Sequence, residues 1–176
     1  MKKLIIFIFL GLILTACFNN KYDFNLKGAG DKTYTLKDFK GDNLLIYFGY
    51  TLCADICPTS LAIATKALNE LNRNDIKILF ISLDPKRDTA NDINEYVQYF
   101  YKNSLGLVPS EDELKRISKN YGVKYEYIYQ DSAAEYTVAH SSSFYIIDKD
   151  GNFKGEISNL TNANVKKKIS EFLGNN

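Results

Sequence analysis

Hydrophobic and polar positions alternate in three styles along the chain, and each style predicts a different element. Leu44 to Tyr50 is a continuous apolar and aromatic run, the pattern of a strand buried on both faces, and Ile76 to Leu83 repeats it. Between them, Leu61, Ala64, Leu68 and Leu71 recur at helical spacing from Ser60 to Leu71, with Pro58 suited to a first helical turn. Asp84-Pro85 breaks the second run, and a second helix is expected from Thr89 to Tyr101. Ser110-Glu111-Asp112-Glu113 has the spacing of a capping box and predicts a third helix, with Leu114, Ile117 and Tyr121 on its apolar face and a stop at Gly122. Ahead of these elements, Phe24 to Leu26 and Thr33 to Leu36 read as a weak extended pair.

The C-terminal part changes style. Ser143 to Asp148 and Asn152 to Ile157 are short strands around Lys149-Asp150-Gly151, where Asp-Gly marks a hairpin, and a last helix covers Asn162 to Leu173. Strand and helix in alternation imply parallel pairing. Parallel βαβ units closed by an antiparallel hairpin and a helix give the element order of an α/β, thioredoxin-like domain, a central mixed sheet with flanking helices. A flavodoxin-like sheet is the competing fold, but it needs a further βα unit in place of the hairpin. The chain has 176 residues, 45% of them hydrophobic, which suits one domain from residue 24 to 176 rather than two. No internal repeat or low-complexity tract divides it, and a monomer is expected.

Charge excludes more than it suggests. Twenty-two basic residues face 21 acidic ones, so no long-range field would recruit nucleic acid or a strongly acidic partner. At the N-terminus, Lys2 and Lys3 precede an apolar run from Leu4 to Leu14, the layout of a secretory signal. The run is shorter than the roughly 20 residues that span a bilayer as a helix. It ends in Leu14-Thr15-Ala16-Cys17, which resembles the bacterial lipobox, in which the cysteine becomes the acylated first residue. The expectation is a signal peptide over 1–16, a lipid on Cys17, a polar tether over 17–23 and a mature domain on the periplasmic or extracytoplasmic face of a membrane. An ordinary signal peptide with a stray cysteine is the bland alternative.

Only Cys53 and Cys57 then remain, too few and too close to staple an exported domain, so their use is expected to be chemical. They lie in Thr51-Leu52-Cys53-Ala54-Asp55-Ile56-Cys57-Pro58, between the end of a central strand and the start of a helix, where open α/β sheets place their sites. The unpaired amides and dipole of the helix N-terminus favour thiolate over thiol. Residues four apart share one face of a helical turn, with Cβ atoms about 5–6 Å apart, so two thiolates could share one ion. Soft sulfur donors select Cu(I) or zinc, and copper leads in affinity among divalent first-row metals. The same proximity permits a Cys53–Cys57 disulfide, so the pair alone leaves metal site and dithiol redox site both open.

The single histidine, His140, stands in Tyr136-Thr137-Val138-Ala139-His140-Ser141. One histidine defines no metal motif and is more often structural. Its place before the strand Ser143 to Asp148 changes that, because in a thioredoxin-like sheet the loop before this strand lies beside the cysteine turn. His140 is then a candidate third ligand, and a Cys2His set would suit both Cu(I) and Cu(II).

With these motifs in order, the chain resembles the Sco/SenC copper proteins, which help assemble the binuclear copper centre of cytochrome c oxidase. The resemblance rests on the C-x3-C-P turn of Thr51 to Pro58, on Ser82-Leu83-Asp84-Pro85-Lys86-Arg87-Asp88-Thr89, and on His140 with Ile146-Ile147-Asp148-Lys149-Asp150-Gly151. It implies one copper ion per monomer held by Cys53, Cys57 and His140, with Asp55 and Asp84 supporting the ligands or contacting a partner. It also implies a copper-receiving subunit of a terminal oxidase, similar to cytochrome c oxidase subunit II, as that partner, and a metallochaperone rather than an enzyme. Ala54 departs from the proline frequent at this position, which bears on turn stiffness rather than ligation. For both aspartates a helix cap or a turn is an equally good account. The rival reading is a periplasmic thiol-disulfide oxidoreductase or a copper-linked redox sensor using the same cysteines, and an accessory reductase activity is open under either reading. Thioredoxin-type enzymes, however, space their cysteines by two residues and carry a cis-proline before the hairpin, and none of Pro58, Pro85 or Pro109 lies there.

Overall fold

The computed structural model describes residues 20–131 and 135–174. The two apolar runs are the centre of the sheet. Strand β3 (Asn43–Gly49) and β4 (Ile76–Ser82) pair in parallel, from Asn43 opposite Ile76 to Gly49 opposite Ser82. Ile46, Tyr47, Ile78, Leu79, Phe80 and Ile81 are fully buried, as strands covered on both faces require. Helix α1 (Ile56–Glu70) returns the chain between them. Helix α2 (Ala90–Phe100) then leads to the parallel edge strand β5 (Ser104–Leu107).

Helix α3 (Glu111–Tyr121) follows, and the expected hairpin is β8 (Phe144–Ile147) with β9 (Phe153–Ile157). Strand β8 lies antiparallel to β3, which gives the order β5-β4-β3-β8-β9, and α4 (Asn162–Leu173) packs beside α1. The sheet is therefore mixed, and its place between flanking helices is the thioredoxin-like arrangement, with the hairpin where a flavodoxin-like fold would have a further βα unit. The weak extended pair forms a separate ribbon, β1 (Asn25–Lys27) against β2 (Thr33–Thr35). No helix among the described residues is long and apolar enough to cross a membrane.

The caps follow the sequence with one substitution of partners. The Ser110 hydroxyl accepts the Glu113 N–H, and Gly122 ends α3 in the left-handed region at φ 78°. The Glu113 carboxylate does not close the box. It accepts the Asn25 N–H (2.8 Å) and pairs with Arg116, tying α3 to the ribbon instead.

Three elements differ from the sequence reading. The β5 segment Ser-Leu-Gly-Leu is too short to show a period. Helix α1 begins four residues before Ser60, so Pro58 is in its first turn as expected and Cys57 is inside that turn rather than ahead of it. The third is a hairpin of β6 (Tyr125–Tyr129) and β7 (Tyr136–His140), a two-stranded sheet of its own outside the main one.

The first described residues are docked. Asn20 donates from its side-chain amide to the Gly151 carbonyl (2.9 Å), and Tyr22 stacks on Phe153 with ring centroids 4.1 Å apart. Gly151 is in the β8–β9 turn, beside the first residues of β3, while the cysteine turn follows the last residue of β3. The chain thus enters at the end of the sheet opposite the cysteines.

Candidate metal centre

At the C-terminal end of β3 the chain turns through Tyr50 to Cys53, whose N–H donates to the Tyr50 carbonyl (3.3 Å). Helix α1 starts three residues later, so Cys57 is in its first turn and fully buried, while Cys53 is 9% exposed at the rim. One otherwise unpaired amide of that turn, the Cys57 N–H, donates to Cys53 Sγ (3.4 Å). Space for the second sulfur depends on Gly49. A Cβ there would lie 2.8 Å from Cys57 Sγ and 2.7 Å from the Phe80 ring, closer than van der Waals contact allows. Neither cysteine is in a disulfide.

His140 is the last residue of β7, at a strand end rather than in an irregular loop. Its Nε2 lies 3.6 Å from Cys57 Sγ, and its Nδ1 is 3.0 Å from the Ser141 carbonyl. A carbonyl only accepts, so Nδ1 donates to Ser141 and Nε2 is the ring nitrogen turned toward the sulfurs. The edges of Tyr47 and Tyr50 hold the imidazole from two sides, at centroid distances of 6.4 and 6.1 Å. The Tyr47 phenol is itself fixed by Ser60 (3.2 Å) and Ser142 (2.9 Å), and burial keeps it neutral.

The two thiols divide one proton. A hydrogen bond from Cys57, then those from His140 and the backbone amides of Cys57 and Asp55, lower Cys53 to about 4 against the cost of burial. Cys57 moves up, because it donates to Cys53 and because it is buried. Both effects favour a Cys53 thiolate beside a Cys57 thiol. The three donor atoms of Cys53, Cys57 and His140 lie within 4.8 Å of one another, close enough to share one ion. Two sulfurs and an imidazole nitrogen are donors for a soft or borderline metal.

The expected supporting acids have different surroundings. Asp55 is the exposed N-cap of α1, and its side chain makes no capping bond; the backbone amide, not the carboxylate, faces Cys53. Asp84 is fully buried and pairs with Arg87 and the Tyr136 hydroxyl (2.7 Å), not with a sulfur or the imidazole. Asp88 was not singled out by the sequence reading, yet its carboxylate accepts the N–H and hydroxyl of Thr51 and the Ser82 hydroxyl (2.6 Å). Burial raises this carboxyl. The only sequence signal was its membership of the Ser82 to Thr89 motif. Cys17 lies outside the described residues.

Fold and site together define a thioredoxin-like domain with a Cys2His donor cluster at the end of its central strand. The chain matches the SCO1/SenC family over residues 17–173 and belongs to it. It is 36% identical over 168 residues to the SCO2-like protein of Rickettsia felis, an alignment covering 89% of this chain and 80% of that one. Among solved structures it is similar to copper-bound ScoI of Arabidopsis thaliana, with a TM-score of 0.79 and 30% identity over 86% of this chain and 96% of the other. Copper-bound yeast Sco1 is similar too, with a TM-score of 0.73 and 31% identity over 86% of each chain. The family is linked to cytochrome c oxidase assembly.

Proposed function

We propose that this protein is a membrane-anchored metallochaperone that binds one copper ion through Cys53, Cys57 and His140. It passes the ion to, or prepares the thiols of, the binuclear copper centre of a terminal oxidase. The observation that carries the reading is the convergence of two sulfurs and an oriented imidazole within 4.8 Å. Copper bound to the Arabidopsis and yeast relatives supports copper over zinc. Copper is the cargo of this protein rather than its resident cofactor. The residues hold it and set its preferred oxidation state: two thiolates suit Cu(I), and the added nitrogen makes Cu(II) tolerable. Leu52 and Ile56 are exposed beside the buried sulfurs and form an apolar rim on which a copper-receiving subunit could sit.

Anaerobic titration of the reduced domain tests this. We expect one Cu(I) per monomer, loss of binding on oxidation to a Cys53–Cys57 disulfide, and loss in Cys53→Ser plus Cys57→Ser. Two ions per monomer, or unchanged uptake by the double variant, would place the site elsewhere. The anchor is tested separately by mass spectrometry of the mature protein, where a diacylated Cys17 at the N-terminus is expected. An intact Met1, or a free Cys17 thiol in soluble protein, would overturn it.

A further inference from the structure

The sheet ties the two ligand-bearing elements together only behind His140, where β8 pairs with β3 and Ser142 meets Tyr47 (2.9 Å). The cysteine turn extends from β3, whereas the β6–β7 hairpin carrying His140 forms a ladder only with itself. A second link, on the hairpin itself, is the loop from Ser82 to Thr89. On one side, Asp88 receives the N–H and hydroxyl of Thr51, two residues before Cys53. On the other, Asp84 receives the Tyr136 hydroxyl (2.7 Å), and Arg87 donates to the Tyr136 carbonyl (2.9 Å) with its guanidinium 3.6 Å from the ring centre. The Asp84 carbonyl accepts the N–H groups of both Arg87 (3.1 Å) and Asp88 (2.9 Å), so the two acids are parts of one turn.

Tyr136 is well placed to act on the imidazole. Side chains at alternate positions of a strand share a face, so Tyr136, Val138 and His140 point the same way, about 13 Å from first to last. Tyr136 and Val138 are buried, and the Val138 N–H reaches the Tyr50 hydroxyl (3.4 Å). Tyr127, on the partner strand, donates to the Leu83 carbonyl (2.9 Å) of the same loop.

We propose that the Ser82 to Thr89 loop is a clamp that sets the distance between the thiol pair and His140, with Tyr136 and Arg87 as positioning residues for the imidazole. The proposal rests on the copper reading for its metal consequence and on the protein alone for its structural one. Because the imidazole matters to Cu(II) and little to Cu(I), loosening the hairpin should weaken one oxidation state selectively.

The test is Tyr136→Phe, which keeps the ring over Arg87 and removes only the hydroxyl, with Tyr129→Phe at the exposed hairpin end as control. Changes in the shell behind metal ligands cost roughly 10- to 100-fold in affinity. We expect Tyr136→Phe to lose at least about tenfold in Cu(II) affinity while Cu(I) affinity stays within about twofold, with an altered Cu(II) electron paramagnetic resonance spectrum. In the copper-free protein, the Val138 and Ser141 amides should exchange faster while those of β3 do not. Unchanged Cu(II) affinity and exchange would overturn the clamp. So would equal losses for both oxidation states together with faster exchange in β3, which would make Tyr136 a general stability residue. A wild-type protein that takes up no copper would fail the copper reading, and the exchange measurement would still decide the clamp.

Discussion

Two cysteines four residues apart behave differently because one hydrogen bond runs between them. Cys57 is wholly enclosed by Gly49, Phe80 and the helix, so charge on its sulfur would be poorly solvated. Cys53 is at the rim and collects donors from Cys57, His140 and two backbone amides. The consequence is a pH dependence of the same sense as an ordinary thiol's, displaced far to the acid side. Alkylation needs thiolate, so a free cysteine loses reactivity as pH falls below about 8.5. In the reduced, metal-free protein, carboxymethylation of Cys53 should hold its plateau from pH 8 down to pH 5 and fall only as pH approaches about 4. Cys57, whose pKa is raised, should stay unlabelled throughout. Peptide mapping after timed labelling measures both, and a Cys53 rate that halves near pH 8.5 would contradict the assignment of the thiolate.

The elements that were legible in the sequence are those whose partners are apolar. The runs of β3 and β4 and the faces of α2, α3 and α4 declare themselves because burial selects Leu, Ile, Val and Phe at regular spacing. The start of α1 at Ile56 was hidden, Pro58 apart, because Ile56 is exposed and Cys57 belongs to the site, so neither continues the apolar spacing. The β6–β7 hairpin was hidden for a related reason. Its residues answer to side-chain bonds with the Ser82 to Thr89 loop, and in β6 the tyrosines alternate with Glu126 and Ile128 on a largely exposed strand. The cysteines and the one histidine could be paired from the chain because their donor chemistry singles them out, whereas Asp88 and Tyr136 could not, since one aspartate and one of 13 tyrosines carry no such mark. Strand β5 carries one legible constraint, Gly106. A Cβ there would lie 2.4 Å from the Asn94 backbone nitrogen and 2.5 Å from the Ile93 carbonyl carbon, so α2 would have to move off the sheet. Gly106→Ala should destabilise the fold by about 1–3 kcal/mol, read as a lower urea midpoint at unchanged slope. A midpoint equal to wild type would show that α2 shifts without cost.

At the scale of the whole molecule, the two ends of the sheet have separate duties. Asn20 and Tyr22 dock the incoming chain against the β8–β9 turn and Phe153. Buried Arg73, paired with Asp75, donates to the Gly174 carbonyl (2.9 Å) and fixes the last described residue. Both ends of the described stretch are thereby tied into the domain, and the cysteine turn, His140 and the apolar rim of Leu52 and Ile56 gather at the C-terminal end of β3. The central claim is that copper occupies the space between Cys53, Cys57 and His140. X-ray absorption at the copper edge on the loaded domain reads that directly. The account predicts two sulfur neighbours and one imidazole nitrogen around Cu(II), with the nitrogen signal lost in His140→Ala and the sulfurs retained. A shell of nitrogen and oxygen alone, or a spectrum that His140→Ala leaves unchanged, would contradict it.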